Sequence, residues 1–500
     1  MMSLAARSIA LAQLLPQQVA LCGDVMISGV SSDSRHVKFG DLFLAFPGAR
    51  SDGRAFIADA IASGAVAIAY DAGDGFVSAE SEAVTIKFLP IANLATEVSA
   101  IAGRFYDAPS AALSVIGATG TNGKTSCTHY LWQLLRSMSV NAALVGTLGT
   151  RVDGDYLESG YTTPDAIAVQ RTLATMRDGQ VSHVAMEVSS HALDQHRVAD
   201  VRFAAALFTN LTHDHLDYHG DMQHYGAAKA RLFAMPGLKA AVVNVDDPSA
   251  ARMLAGIEFG THIVRYSIAG VGTASELGVK QVDYTSQGFT ADIHSVWGDA
   301  RITAPLMGDF NLSNVLGAIG ALCALGFDFA TVCAHAAALE PVAGRMQVIA
   351  DAGDLTVLVD YAHTPDALQT VLKAARRHGS GKLWCVFGCG GDRDKTKRPR
   401  MGEIAEQLAD HVVVTSDNPR SENALAIIAD IKSGIRNQAT CHFEVDRKAA
   451  IGFAIRGARS GDVVVLAGKG HEAYQEIAGV RHAFDDRIEA RTALQLRGAA

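Results

Sequence analysis

No C-x-x-C pair occurs in this 500-residue sequence, and its seven cysteines, Cys22, Cys127, Cys323, Cys333, Cys385, Cys389 and Cys441, are an odd number spread along a long chain. That spacing argues against a zinc site or a disulfide framework and leaves reduced thiols of a cytoplasmic protein as the expectation. Positive charge is scarce too: 43 Lys and Arg face 52 Asp and Glu, a formal net charge of -9. A nucleic-acid binder normally carries a strongly basic domain, so neither nucleic acid nor a membrane is expected as a partner. Between Met1 and Ala20 the single positive charge is Arg7, and Gln13, Gln17 and Gln18 interrupt the apolar run. This segment reads as a first helix and not as a signal peptide. The longest uncharged stretch, Phe310 to Phe327, begins with Asn311, Ser313 and Asn314 and continues in small Ala and Gly residues. It predicts a buried packing helix rather than a membrane span.

What is abundant is apolar residue, 49% against 19% charged, ample for several cores and, by length, about three domains. Short β-branched runs alternate with Ala-rich helical stretches: Leu113 to Ile116, Val181 to Val188, Ala204 to Thr209, Lys239 to Val245, Val357 to Val359, Leu383 to Phe387, Val412 to Thr415 and Val463 to Leu466. The alternation predicts an α/β fold with mostly parallel sheets and its chemistry at strand ends. Asp107 and Pro109, then Pro341, mark expected boundaries, giving domains 1–108, 109–340 and 341–500.

From the strand Leu113 to Ile116 the chain enters Gly117-Ala-Thr-Gly-Thr-Asn-Gly-Lys-Thr125, with a helix expected from near Ser126. Backbone N–H groups of such a loop and the helix N-terminus receive phosphate oxygens, Lys124 meets the β- and γ-phosphates, and Thr125 meets magnesium. Ala118 stands where the usual pattern has its first glycine, while Gly117 and Gly120 keep the turn Gly-rich. A phosphate-bound metal needs further ligands. Glu187, closing an apolar strand, is one candidate. The segment Thr209-Asn-Leu-Thr-His-Asp-His-Leu-Asp-Tyr-His-Gly220 holds three His and two Asp, and spacing does not choose among them. Read alone, Lys229 is a solvated helix lysine.

Taken in order, these motifs resemble those of the Mur ligases, ATP-dependent enzymes that add amino acids to the peptidoglycan precursor. The likeness runs through Thr119 to Thr125, Met186-Glu-Val-Ser-Ser-His191, Asn210 to Gly220, Tyr225-Gly-Ala-Ala-Lys229, Gly344-Arg-Met346, Asp360-Tyr-Ala-His-Thr-Pro365, Gly388-Cys-Gly-Gly-Asp-Arg393 and Gly468-Lys-Gly-His-Glu472. It implies three domains: an N-terminal uridine-nucleotide domain, a central P-loop ATPase domain and a C-terminal Rossmann-like domain. It implies that ATP meets Gly120, Thr121, Asn122, Gly123, Lys124, Thr125, Ser126, Asn314, Arg345 and Asp360. Two magnesium ions would be held by Thr125, Glu187, His215 and Lys229, the lysine carbamylated so that it acts as a carboxylate. Catalysis would then rest on Lys124, Glu187, His215 and Lys229.

The stretches Ser31-Ser-Asp-Ser-Arg35 and Gly40-Asp-Leu-Phe-Leu-Ala45 resemble the ligase of this family that acts on UDP-N-acetylmuramoyl-alanyl-glutamate. By that likeness Ser32, Ser34, Ala49, Arg50 and Ser51 contact UDP, and Tyr161, Thr162, Thr163, Ser189, Gln195 and Arg197 hold the muramoyl-dipeptide. An Asn is expected at position 161, where Tyr stands. Asp417-Asn-Pro-Arg420 follows a strand and would by itself be an ordinary turn. In this family it marks enzymes that add meso-diaminopimelate. Arg393 and Arg420 can bind its second carboxylate in bidentate fashion. Asp417, Asn418, Pro419, the Gly468 carbonyl and Glu472 complete that expected site, the last two for the distal ammonium. The expected reaction passes through an acyl phosphate, carried out by a monomer. A lysine-adding homologue and a folylpolyglutamate synthetase-like ligase are the alternatives.

Overall fold

The computed structural model describes residues 7–48, 51–77, 86–152, 156–157, 160–270, 275–349 and 354–498. They fall into two compact units, one of residues 1–211, 215–264 and 320–326, the other of 212–214, 265–319 and 327–500.

The first unit contains two parallel sheets. The N-terminal one runs Gly29–Ser31, Asp41–Ala45, Ala67–Asp71, Lys87–Ile91, each strand parallel to its neighbour. Asp41–Ala45 is buried along its whole length because it is covered on both sides. Leu42 and Leu44 pack with Leu94, Val98 and Ile101 of the helix Leu94–Phe105, whereas Phe43 and Ala45 pack with Ile57 and Ala60. Two-sided cover is why this strand lacks the polar alternation of a half-exposed one.

In the second sheet of this unit the parallel order is Ala240–Asn244, Phe203–Phe208, Ser114–Thr119, His183–Glu187, Ala142–Gly146, with Gly149–Arg151 antiparallel at the edge. The phosphate-loop strand Ser114–Thr119 is thus flanked on both sides, and Val115, Val184, Met186, Phe203 and Phe208 share its core.

The second unit holds an antiparallel meander, Leu277–Thr285, Gly288–Ser295 and Gly298–Ala304, which stands outside the βα alternation of the sequence. It also holds the sheet Gln347–Val348, Thr356–Asp360, Val463–Ala467, Leu383–Phe387, His411–Val414, Cys441–Phe443, parallel except at its first edge. The eight runs read as strands all appear as strands, shifted by a few residues at their ends. Phe310 to Phe327 forms the helix Asp309–Ala324, with Leu312, Val315, Leu316 and Ile319 fully buried. Among the described residues no helix is long and apolar enough to cross a membrane.

One element differs. Met1 to Ala20 is not a single helix: among its described residues, Ile9–Ala10 pairs antiparallel with Met26–Ile27, and short helices cover Leu11–Leu14 and Val19–Cys22. Pro16 explains the break, since it lacks an N–H and disfavours helical geometry at Leu15 before it, which sits at φ -124° and ψ 68°.

Candidate active site

The strands Ser114–Thr119, His183–Glu187 and Phe203–Phe208 of the central sheet lead at their C-terminal ends into candidate residues, the end at which ligands bind in open α/β sheets. The loop after Ser114–Thr119 passes Gly120 (φ 149°) and Gly123 (φ 87°) and enters the helix Lys124–Ser137, two residues earlier than expected. A Cβ on Gly120 would lie 1.9 Å from Thr209 Oγ1, so only glycine fits. The neighbouring strand end braces the loop. Thr121 N donates to Asn210 O (2.8 Å), Asn122 N donates to Asn210 Oδ1 (2.9 Å), and Thr209 Oγ1 donates to Asn122 O (2.6 Å). Lys124 Nζ donates to the carbonyls of Gly120 and Thr121, both at 2.9 Å. Ser126 and Thr125 are buried in the first turn.

Glu187 ends its strand fully buried. Oε2 accepts from Thr125 Oγ1 (3.0 Å), Oε1 accepts from Thr147 N (2.8 Å), and Thr147 Oγ1 lies 3.1 Å from Oε2. Hydrogen bonds to the charged form offset the cost of burying a carboxylate. Thr147 follows the strand Ala142–Gly146 and was not among the expected residues. Its position after an apolar strand was the available signal. A Cβ on Gly146 would meet Glu187 Oε1 at 2.2 Å.

Lys229 corrects the reading of a solvated lysine. In the helix Met222–Ala230 it is 1% exposed, with Nζ donating to Gly120 O at 2.7 Å and standing 4.5 Å from the Tyr225 ring centroid. His215 has the left-handed backbone of φ 52°, a conformation costing of order 1–3 kcal/mol. Its ring is 4.9 Å from that of His191 and 6.1 Å from that of Tyr225. Burial, with the neighbouring His215, His219 and Arg197, pushes His191 down to about 4. Among the described residues no cluster of three or more His, Cys, Asp or Glu is gathered for a metal. The donors present fit magnesium in part: Thr125 and Glu187 offer the hard oxygens it prefers, while an ammonium at Lys229 would repel it. Carbamylation would complete the fit.

Of the expected dipeptide contacts, Thr163 Oγ1 donates to Glu187 O (2.8 Å) and accepts from Ser189 N (3.1 Å), and Ser189 Oγ caps the next helix through Ala192 N. Arg197 Nη1 donates to Thr163 O (2.8 Å), while Nε and Nη2 bond Gln195 Oε1 at 3.0 and 2.6 Å. Thr162 Oγ1 is 3.0 Å from Thr147 Oγ1. Tyr161 is 56% exposed, its ring 5.4 Å from the Arg197 guanidinium, so these residues form one connected patch. Of the uridine candidates, Ser34 is buried, Ser32 half-buried and Ser51 exposed. Ala49 and Arg50 lie outside the described residues.

In the second unit Asn314 is buried and Nδ2 is 3.5 Å from Asn311 Oδ1. Asp360 accepts from Met346 N (2.7 Å) and Ala362 N (2.8 Å) at its strand end, and burial raises its carboxyl. Arg345 stacks 4.5 Å from the Tyr361 ring. Neighbouring strand ends bring the amino-acid candidates together. Arg420 (φ 51°) donates through Nη1 to Gly391 O (2.7 Å), and the hairpin Tyr474–Ile477/Val480–Ala483 clamps its backbone: Arg420 N donates to Glu476 O and Ala478 N donates to Arg420 O. Arg393 is exposed. Asn418 N is 2.6 Å from Asp417 Oδ1, and Asn418 Nδ2 donates to Glu472 Oε2 at 2.7 Å. Gly391 admits no Cβ, which would lie 1.9 Å from Pro419 O, and one on Gly468 would lie 2.5 Å from Asp417 Oδ2. Two buried guanidiniums absent from the sequence reading hold these loops. Arg398 grips Glu422 and Asp430. Arg447 grips Asp486 and donates to the carbonyls of Ser416 and Ala467.

Three models of one family match this chain: "Mur ligase family, catalytic domain" over residues 26–106, "Mur ligase middle domain" over 118–322 and "Mur ligase, glutamate ligase domain" over 344–470. The chain belongs to the Mur ligase family. This Mur ligase is 49% identical over 487 residues to the UDP-N-acetylmuramoyl-L-alanyl-D-glutamate--2,6-diaminopimelate ligase of Pseudomonas aeruginosa, covering 97% of this chain and 98% of that protein. It is 43% identical over 487 residues to the ligase of the same name from Coxiella burnetii, with 97% and 99% covered. A solved structure titled as a UDP-N-acetylmuramoyl-L-alanyl-D-glutamate--2,6-diaminopimelate ligase superposes with a TM-score of 0.73 at 36% identity, covering 98% of this chain and all of that one.

Proposed function

We propose that this Mur ligase uses ATP to join meso-2,6-diaminopimelate to UDP-N-acetylmuramoyl-L-alanyl-D-glutamate in peptidoglycan precursor synthesis. The observation that carries the choice of amino acid is Arg420, held beside Gly391 by its 2.7 Å hydrogen bond and by the hairpin behind it. A guanidinium fixed in one orientation suits a carboxylate that diaminopimelate carries and lysine lacks. Arg393, Asp417, Asn418, Pro419, Gly468 and Glu472 complete this amino-acid site.

A carboxylate does not react with an amine until its oxygen becomes a leaving group. The glutamate carboxylate of the precursor forms a bond to the γ-phosphorus and ADP departs. The diaminopimelate amine then attacks the acyl carbon; phosphate leaves with the carboxylate oxygen and the amine gives up a proton. Catalysis is positioning and charge neutralisation. Gly120 to Ser126 receive the phosphates, Lys124 faces the transferred group, and Asn314, Arg345 and Asp360 contact the rest of ATP. Thr162, Thr163, Ser189, Gln195 and Arg197 orient the dipeptide. Thr125, Glu187, His215 and a carbamylated Lys229 would hold magnesium, which supplies positive charge to phosphate oxygens. The three family matches support domains at 1–108, 109–340 and 341–500, in a protein that works as a cytoplasmic monomer.

Phosphate release with the UDP-linked dipeptide tests the reading, comparing meso-diaminopimelate, L-lysine and no amino acid. Release that depends on diaminopimelate is expected. Preference for lysine overturns the specificity, and equal release with neither amino acid overturns the ligase reaction.

A further inference from the structure

Lys469 is fully buried, yet no step above uses it. It lies between Gly468 (φ 115°) and Gly470 (φ 54°). A Cβ on either glycine would meet Asp417 Oδ2 at 2.5 Å or Tyr361 Cβ at 2.7 Å. The backbone therefore packs too closely for side chains on either side of Lys469. Its own side chain runs inward, where Nζ donates to Asn418 Oδ1 (3.0 Å) and stands 3.4 Å from Glu472 Oε2. Asn418 Nδ2 donates to the same Oε2 at 2.7 Å, and Glu476 N donates to Asn418 Oδ1 at 3.0 Å. The two hydrogen bonds that reach Glu472, from Lys469 Nζ and Asn418 Nδ2, both fall on Oε2, and its side chain is 17% exposed. No such hydrogen bond occupies the second oxygen, Oε1.

We propose that Lys469 is a positioning residue for the incoming amino acid: by clamping Asn418 Oδ1 and Glu472 Oε2, it holds the Glu472 carboxylate with Oε1 presented to the distal ammonium group. The inference rests on the amino-acid site assigned above. A buried ammonium is costly unless paired, and here its partners are two residues of that site. The charged and titratable groups facing Glu472 are Lys469 on its own segment, Asp417, Arg447 and Tyr361. Burial, with Asp417, raises the Glu472 carboxyl, and Lys469 opposes the rise. Without Lys469 the carboxylate gains a proton more readily and loses its fixed rotamer. Both effects weaken its grip on an ammonium group.

The experiment measures KM and kcat for meso-diaminopimelate, ATP and the UDP-dipeptide in the full-length enzyme and its K469M, K469R, E472Q and K469M/E472Q variants. K469M is expected to raise the diaminopimelate KM at least tenfold, with kcat at saturation within threefold and both other KM values within twofold. The elevated KM should fall as pH rises, and by more than the wild-type value does, because Glu472 regains its charge. K469R should recover more than half of the loss on a logarithmic scale, and K469M should add less than twofold on the E472Q background. A parallel rise in all three KM values overturns the proposal, as does a pH-independent defect or a full multiplicative effect beside E472Q. Should K469M not accumulate as folded protein, K469Q is judged by the same outcomes. If the wild type prefers L-lysine, the specificity reading fails by itself. Lysine also carries a distal ammonium, so the Lys469 series is then read with that substrate.

Discussion

Replacing Asp486, the first residue of the helix Asp486–Gly498, with Ala should strongly destabilise the C-terminal sheet. Arg447 and Asp486 have side chains wholly out of solvent, joined by Nε to Oδ1 at 2.7 Å and Nη2 to Oδ2 at 2.6 Å. Removing one partner leaves an uncompensated buried charge, a loss of about 3–5 kcal/mol, or roughly 10²- to 4 × 10³-fold in the local opening constant at about 1.4 kcal/mol per decade. Native-state hydrogen exchange of the amides in Val463–Ala467 reads that constant directly, without requiring the whole chain to unfold in one step. Removing both charges in R447M/D486L should recover at least half of the loss. It should not recover all, because Arg447 also donates to Ser416 O (3.2 Å) and Ala467 O (3.0 Å), and each orphaned carbonyl costs about 1 kcal/mol or more. Those carbonyls immediately precede Asp417 and Gly468, so both variants should raise the diaminopimelate KM at least fivefold. A drop in protection below tenfold for D486A, or a double variant worse than the single one, would refute the reasoning.

R420A removes the guanidinium that would pair with the distal diaminopimelate carboxylate through two charge-assisted hydrogen bonds at a partly exposed site, about 2–4 kcal/mol. Its diaminopimelate KM should rise roughly 30- to 1000-fold with the ATP KM unchanged in initial-rate assays. K124M should abolish ATP-dependent phosphate release while circular dichroism shows the fold retained. Intact-mass spectrometry of native protein should find an increment of one carbon dioxide, absent in K229A, and wild-type activity should fall on removal of bicarbonate. Arg398 holds the Glu422 carboxyl down to about 2. A depressed folded-state pKa gives stability that is present above the unfolded value near 4.5 and lost as pH falls through the folded value. E422Q should therefore be less stable than wild type at pH 7 in urea titrations, with the gap closing between pH 4.5 and pH 2.

The phosphate loop was legible because local rules and tertiary structure agree there: an apolar strand, glycines at Gly120 and Gly123 where φ is positive, and a Lys-Thr helix start. Glu187 was legible for the same reason, at the end of an apolar run. Lys229 was not. Helical spacing cannot say that its turn packs beneath the Gly120 carbonyl, a contact across 109 residues of sequence. Thr147 and Arg447 escaped because their partners lie far along the chain, 40 residues away at Glu187 and 39 at Asp486; Lys469 shares a short motif with Glu472, but its other partner, Asn418, is 51 residues away. The first helix failed on a residue in plain view, Pro16. The antiparallel meander Leu277–Ala304 was overlooked because its mixed exposed and buried residues lack the continuous apolar runs that marked the parallel strands.

The carbonyl oxygen of Gly120 receives two ammonium groups, Lys124 at 2.9 Å and Lys229 at 2.7 Å. The loop thus acts as its own mock phosphate, occupying the cation meant for the nucleotide. Nucleotide entry is then an exchange of acceptors, in which an anionic oxygen must outcompete a neutral one for Lys124. The net affinity for ATP is the difference between the two, and converting Lys229 to a carbamate would replace one of the two ammonium donors at the Gly120 carbonyl with a single N–H beside a negative charge.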